Sequence, residues 1–137
     1  MTTERVRSAS PFEARYGFCR ALRIGDRIEV AGTAPIPQDG TGTPPDAHGQ
    51  MLLCGRIALD AIEGLGGTVA DVVRTRMFIT DAADADAVGT AHRQVFGDGW
   101  PVSTMVVIGG LLDPAWKVEI EVEAVVTNST PAGEVVT

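Results

Sequence analysis

An α+β fold built on a mixed β-sheet is what this chain predicts, and three observations carry the prediction. Apolar Val118, Ile120 and Val122 alternate with Glu119, Glu121 and Glu123, a period of two that gives a strand one apolar and one acidic face. Two other segments repeat their apolar residues at helical spacing. Pairs of β-runs at both ends of the chain, with a lone β-run between the helices, give the order ββαβαββ. Hairpins expected at both ends imply a mixed sheet, with both helices able to cover one face.

Residues 1–10 are polar and expected to be loose, and 11–127 form a single domain. A short strand over 18–23 enters the Gly25-Asp26 turn and leads to a second, R-I-E-V-A-G-T-A. The following Pro-, Gly- and Thr-rich stretch, P-I-P-Q-D-G-T-G-T-P-P-D, reads as a surface loop. Asp46 can cap a helix running to about Leu65, with Met51, Cys54, Ala58, Ala61, Ile62 and Leu65 on one stripe, ended by Gly66-Gly67. Residues 72–79 are a β-branched strand. Asp81 and Asp84 then open a second helix carrying Val88, Ala91, Val95 and Phe96, with acidic charge at its positive end. Gly97-Asp98-Gly99 stops it, and two closing strands flank a Gly-Gly and Asp-Pro connection. Residues 128–137 are small and polar and expected to be a flexible tail.

A chain of 137 residues fits one domain, and two helices cover only one face of its sheet, so self-association is the economical way to cover the other. The formal charge of −7 and the scatter of the eleven basic residues argue against a nucleic-acid partner, which needs clustered cations. The first residues lack the apolar core of a secretory signal and no apolar run is long enough to span a bilayer, so no membrane association and a cytoplasmic location are expected. Cys19 and Cys54 have no metal-ligand spacing and read as two buried thiols; with only two His besides, neither a metal nor a cofactor is expected.

Several pieces of the chain resemble the RidA/YjgF (Rid) family when taken in order: G-F-C-R-A-L-R-I-G-D, V-A-G-T-A-P, D-V-V-R-T-R-M-F-I-T-D, V-G-T-A-H-R-Q-V-F-G and P-V-S-T-M-V…V-E-I-E-V-E-A. The resemblance covers about residues 12–126. It implies a chorismate-mutase-like (YjgF-like) subunit, a homotrimer and small-molecule pockets between neighbouring subunits. In active members it implies hydrolysis of imines or enamines to oxo acids and ammonia. Glu119 matches the family's pocket carboxylate, the catalytic candidate, while Phe18, Gly32, Thr33, Gly89, Ser103 and Met105 fall at ligand-binding positions.

This chain departs from the deaminases at four of those positions. Ser103 stands where they carry a substrate-binding Arg, Phe18 where many have Tyr, Gly89 where a polar Asn is usual, and Thr33 where Gln is often found. A guanidinium grips a carboxylate through two charged hydrogen bonds, which a hydroxyl does not reproduce. Ordinary 2-iminopropanoate deamination is therefore not expected.

Two residues are candidates to replace the missing cation. Arg20 shares strand parity with Phe18, although a surface salt bridge is the commoner fate of such an Arg. His92 lies one helical turn from Gly89, although a lone helix His is more often structural. At least one of the two is expected to reach the cleft holding Ser103 and Glu119. Glu119 itself reads either as a proton shuttle or as a solvated carboxylate on an alternating strand. The functional readings are thus a hydrolase acting on an imine, enamine or related small electrophile, a non-catalytic ligand-binding or regulatory trimer, and an enzyme acting on a bulkier, less acidic substrate.

Overall fold

A computed structural model describes residues 2–127, so the expected tail at 128–137 lies outside the described residues. The N-terminal segment corrects the sequence reading. Thr3–Val6 is a strand, β1, paired antiparallel with β2 (Ala21–Ile24). Its residues are mostly exposed, as an edge strand's can be, so their polarity is compatible with regular structure. A short helix not read from sequence follows, α1 (Phe12–Tyr16), closed by Gly17 at φ 81°, a left-handed conformation that suits glycine. The strand expected over 18–23 begins only at Ala21.

β3 (Arg27–Thr33) completes the N-terminal hairpin. α2 (Ala47–Gly64), β4 (Val72–Ile79), α3 (Ala85–Phe96), β5 (Val102–Val107) and β6 (Val118–Val125) follow where the sequence patterns place them. Asp46 occupies the N-cap of α2 without a side-chain capping bond. Asp81 instead accepts a hydrogen bond from the Ala83 amide in a 3-10 turn ahead of α3.

The six strands run β1-β2-β3-β6-β4-β5, with β4 and β5 parallel and every other neighbouring pair antiparallel. The C-terminal β-runs therefore do not form the expected hairpin. The β4–α3–β5 crossover sets β5 outside β4, and the connection over 108–117 carries the chain back across β4 so that β6 pairs with β3 and β4.

Alternation on β6 then does what the sequence requires. Val118, Ile120 and Val122 are buried against the helices, while the three glutamates lie on the opposite, open face. α2 supplies Met51, Cys54, Ala58 and Ile62 to the core and α3 supplies Val88, Ala91 and Phe96. Each large side chain among these stabilises by roughly 1.5–3 kcal/mol. A Cβ at Gly55 would stand 3.0 Å from Val95, so glycine allows α2 to approach α3. Buried Gln50 fastens α2 to two loops. Its amide nitrogen donates to the Pro44 and Ala115 carbonyls at 2.9 and 3.0 Å, and its oxygen accepts from the Lys117 amide at 2.7 Å.

Among the described residues no helix is long and apolar enough to cross a membrane.

Candidate functional site

Glu119 sits at the end of β6 beside a buried charge cluster that α1 creates. Glu13 and Arg20 are both 3% exposed and pair at 3.2 Å. Glu13 also accepts from the Ser8 amide at 3.0 Å and from the Ser8 hydroxyl. Arg20 Nη1 donates to the Gly32 carbonyl at 2.5 Å and to Thr33 Oγ1 at 3.0 Å. The Arg20 ion pair is thus internal, against the expectation of a surface one. Burial requires these charges to be paired and hydrogen-bonded, and here they are. The Arg20 guanidinium also lies 5.6 Å from the centre of the Phe18 ring.

These groups line a narrow cavity of about 70 Å³ that brings together Phe18, Arg20, Gly32, Thr33 and Glu119. Phe12, Tyr16, Leu112 and Trp116 form its apolar rim. Phe12 meets Trp116 edge to face with ring centres 6.0 Å apart. Burial holds the Glu119 carboxyl above the usual carboxylate range; Arg20 opposes that rise and Glu121 adds to it. A side chain at Gly32 would run into the Glu119 carboxylate, so glycine is what leaves that group its place.

The other candidates assemble elsewhere. Ser103 is level with Thr75 on parallel β4, and both face the helix-covered side of the sheet. Thr75 Oγ1 lies 2.7 Å from Ser103 Oγ and 2.8 Å from His92 Nε2. His92 lies tilted against Phe96 with ring centres 5.2 Å apart, and burial holds its pKa below the ordinary histidine value. A Cβ at Gly89 would meet the Met105 methyl group at 4.0 Å, an ordinary contact, so nothing in the fold forbids a small side chain there. Ser103 itself is exposed, on an edge strand with one side unpaired.

Within one chain, then, Arg20 joins Glu119 and His92 joins Ser103, but the two halves stay apart. Glu119 is level with Phe78 and Ser103 with Thr75, three rungs along and two strands across, on opposite faces. That separation is on the order of 14 Å at ordinary strand spacings.

Between the halves, the open face is more charged than apolar. Arg76 lies 3.4 Å from Glu123 and 3.9 Å from Glu121, and Arg74 lies 3.7 Å from Glu123. The acidic row is thereby offset by basic residues of β4, and four of the exposed apolar groups, Trp100, Val102, Val106 and Val107, lie on or beside β5. Among the described residues no group of His, Cys, Asp and Glu side chains is arranged to hold a metal ion. Cys54 is buried and free in the core, its thiol pushed up by burial, while free Cys19 is only half-buried.

Sequence reasoning missed Glu13 and Thr75. Both leave a trace. Glu13 lies between Pro11 and Gly17, a Pro-start and Gly-stop spacing for one short helix. Thr75 is in phase with Met77 and Ile79, a hydroxyl on the core face of its strand that needs a partner.

Comparison with known proteins shows the same architecture. A family model described as endoribonuclease L-PSP matches residues 8–126. An uncharacterized protein of Streptomyces coelicolor is 39% identical over 127 residues, covering 90% of this chain and 95% of its own. The crystal structure of a Mycobacterium tuberculosis member of the YjgF/YER057c/UK114 family is also 39% identical, with a TM-score of 0.82 over 91% of this chain and 100% of that one. Escherichia coli TdcF, solved with bound serine, has a TM-score of 0.76 over 90% of this chain and 94% of its own, at 23% identity a likeness of fold alone. With the six-stranded mixed sheet and the matched span together, this chain belongs to the YjgF/RidA family.

Proposed function

We propose that three copies of this chain assemble so that the Glu119 half of one subunit faces the Ser103 half of the next, forming one small-molecule cleft at each boundary. The reading is supported by two incomplete half-sites on one chain, one at the open edge strand β5, and by the exposed apolar groups beside that edge. Light scattering is expected to give the mass of a trimer at micromolar concentration; a stable monomer would overturn the assembly.

In that cleft the chain acts on a small imine, enamine or related electrophile. The observation that carries this reading is Glu119, a carboxylate held beside Gly32, raised by burial and balanced by Arg20. A group so placed takes a proton from water as the water oxygen attacks the C=N carbon and the nitrogen is protonated. Collapse of the resulting carbinolamine releases ammonia and leaves the carbonyl. Its raised pKa brings Glu119 nearer to the range where it can also return the proton.

The second reading, a non-catalytic ligand-binding trimer, is favoured by Ser103 in the place of the carboxylate-gripping Arg. Ammonia release from imines generated in place by an amino-acid oxidase separates the two. Catalysis predicts a faster release that Glu119→Gln lowers by about 10²–10⁴. No acceleration with any imine would leave only the binding reading.

A further inference from the structure

The Thr75 hydroxyl has a single proton and two polar neighbours, Ser103 at 2.7 Å and His92 at 2.8 Å. Thr75 is fully buried, so no water competes for it. The three groups must therefore orient as a unit. If His92 Nε2 is bare, Thr75 donates to it and Ser103 donates to Thr75, so that the Ser103 lone pairs face outward. If Nε2 carries the proton, His92 donates to Thr75, Thr75 donates to Ser103, and the Ser103 proton faces outward. Nδ1 of His92 takes no hydrogen bond among the described residues, so neither tautomer is imposed by the fold.

Within its own subunit the surroundings of this group are uncharged. Arg74 and Arg76 lie on the opposite face, committed to Glu121 and Glu123. Burial alone lowers the His92 pKa, with no charged neighbour contributing. Arg93, next to His92 on α3, extends over the exposed Trp100 ring at 5.9 Å. A carboxylate brought to Ser103 would find at most one neutral donor, whereas an amide or ester carbonyl needs no more than that.

We infer that Ser103, Thr75 and His92 form a switchable hydrogen-bond site for an uncharged carbonyl group, so that the cleft takes amide- or ester-bearing imines in preference to imino acids. The inference rests on the subunit-boundary cleft proposed above.

Pyruvamide and pyruvate, which differ only at the group in question, are suitable probes. Each is titrated into the isotope-labelled full-length protein while backbone amide resonances are followed. Pyruvamide is expected to shift Ser103 and Thr75 and to bind about tenfold tighter than pyruvate. Ser103→Arg should reverse that order, and Thr75→Val, which keeps the shape but removes the shared hydroxyl, should erase most of the pyruvamide preference. Unchanged circular dichroism and thermal midpoint identify the variants that remain folded, and Ser103→Ala on the exposed edge provides a second test of the lost hydroxyl.

Equal or tighter binding of pyruvate to the unaltered protein would overturn the inference, as would a preference indifferent to both Ser103→Arg and Thr75→Val, or no shift at Ser103 with either probe. The cleft reading fails separately. Pyruvamide would then move Ser103 and Thr75 but leave Gly32 and Thr33, beside Glu119, unmoved.

Discussion

The Glu119 end of the sheet and the Ser103 end place polar groups among apolar ones by opposite means. Around Glu119 the polarity is ionic. Arg20 and Glu13 neutralise each other inside the protein, and Arg20 Nη1 donates to the Gly32 carbonyl and the Thr33 hydroxyl. Around Ser103 it is neutral, a hydroxyl–hydroxyl–imidazole chain open to solvent at one end. A buried ion pair is costly to disturb on either side, so the first arrangement is part of the fold and fixes its geometry. A chain of neutral donors can reverse without moving any heavy atom, so the second can suit different partners.

The strongest way to break this contrast is to remove Arg20. Arg20→Ala strands Glu13 as a buried carboxylate and frees the Gly32 carbonyl, and is expected to cost about 3–5 kcal/mol in urea unfolding. A loss below about 1 kcal/mol would mean that the pair is no anchor for the fold. Thr75→Val tests the other half and should cost less, about 1–3 kcal/mol, because it breaks two neutral bonds and leaves His92 Nε2 without its partner. If it cost more than Arg20→Ala, the ordering of the two halves would be wrong.

The smallest effect sharpens the contrast by sign. The folded-state pKa of Glu119 is raised, so its contribution is favourable at low pH and is lost as pH rises through that pKa. Glu119→Gln should therefore stabilise the protein at neutral pH, by about 1 kcal/mol or less, with the gain fading in acid. The folded-state pKa of His92 is lowered, so its contribution is present above the ordinary histidine value and lost as pH falls below it. Difference curves of thermal midpoint against pH for Glu119→Gln and His92→Asn should slope in opposite directions; parallel curves would refute the two assignments together.

The elements and the fold family were legible because their signals are local. Period-two alternation on β6, the stripe of Met51, Cys54, Ala58 and Ile62, and the Gly66-Gly67 stop each depend on neighbours in sequence. What was not legible depends on distant pairing. Exposed Thr3–Val6 becomes a strand only because β2 offers it an edge, and β6 lies two strands from β5 only because a crossover intervenes. The candidate site divides in the same way. Parity and helical phase placed Arg20 near Phe18 and His92 near Gly89, yet neither revealed Glu13 or Thr75, the partners that decide what those two side chains do.

Gln50 has a consequence for how anything reaches Glu119. Besides α1, two loops line the narrow cavity, Ile36 on one and Leu112 and Trp116 on the other. A single buried carboxamide ties both back to α2, through Pro44 on the first and Ala115 and Lys117 on the second. The doorway therefore has a hinge post common to both its jambs. Displacing Pro44 or the Ala115 to Lys117 segment from α2 breaks a hydrogen bond to that same amide.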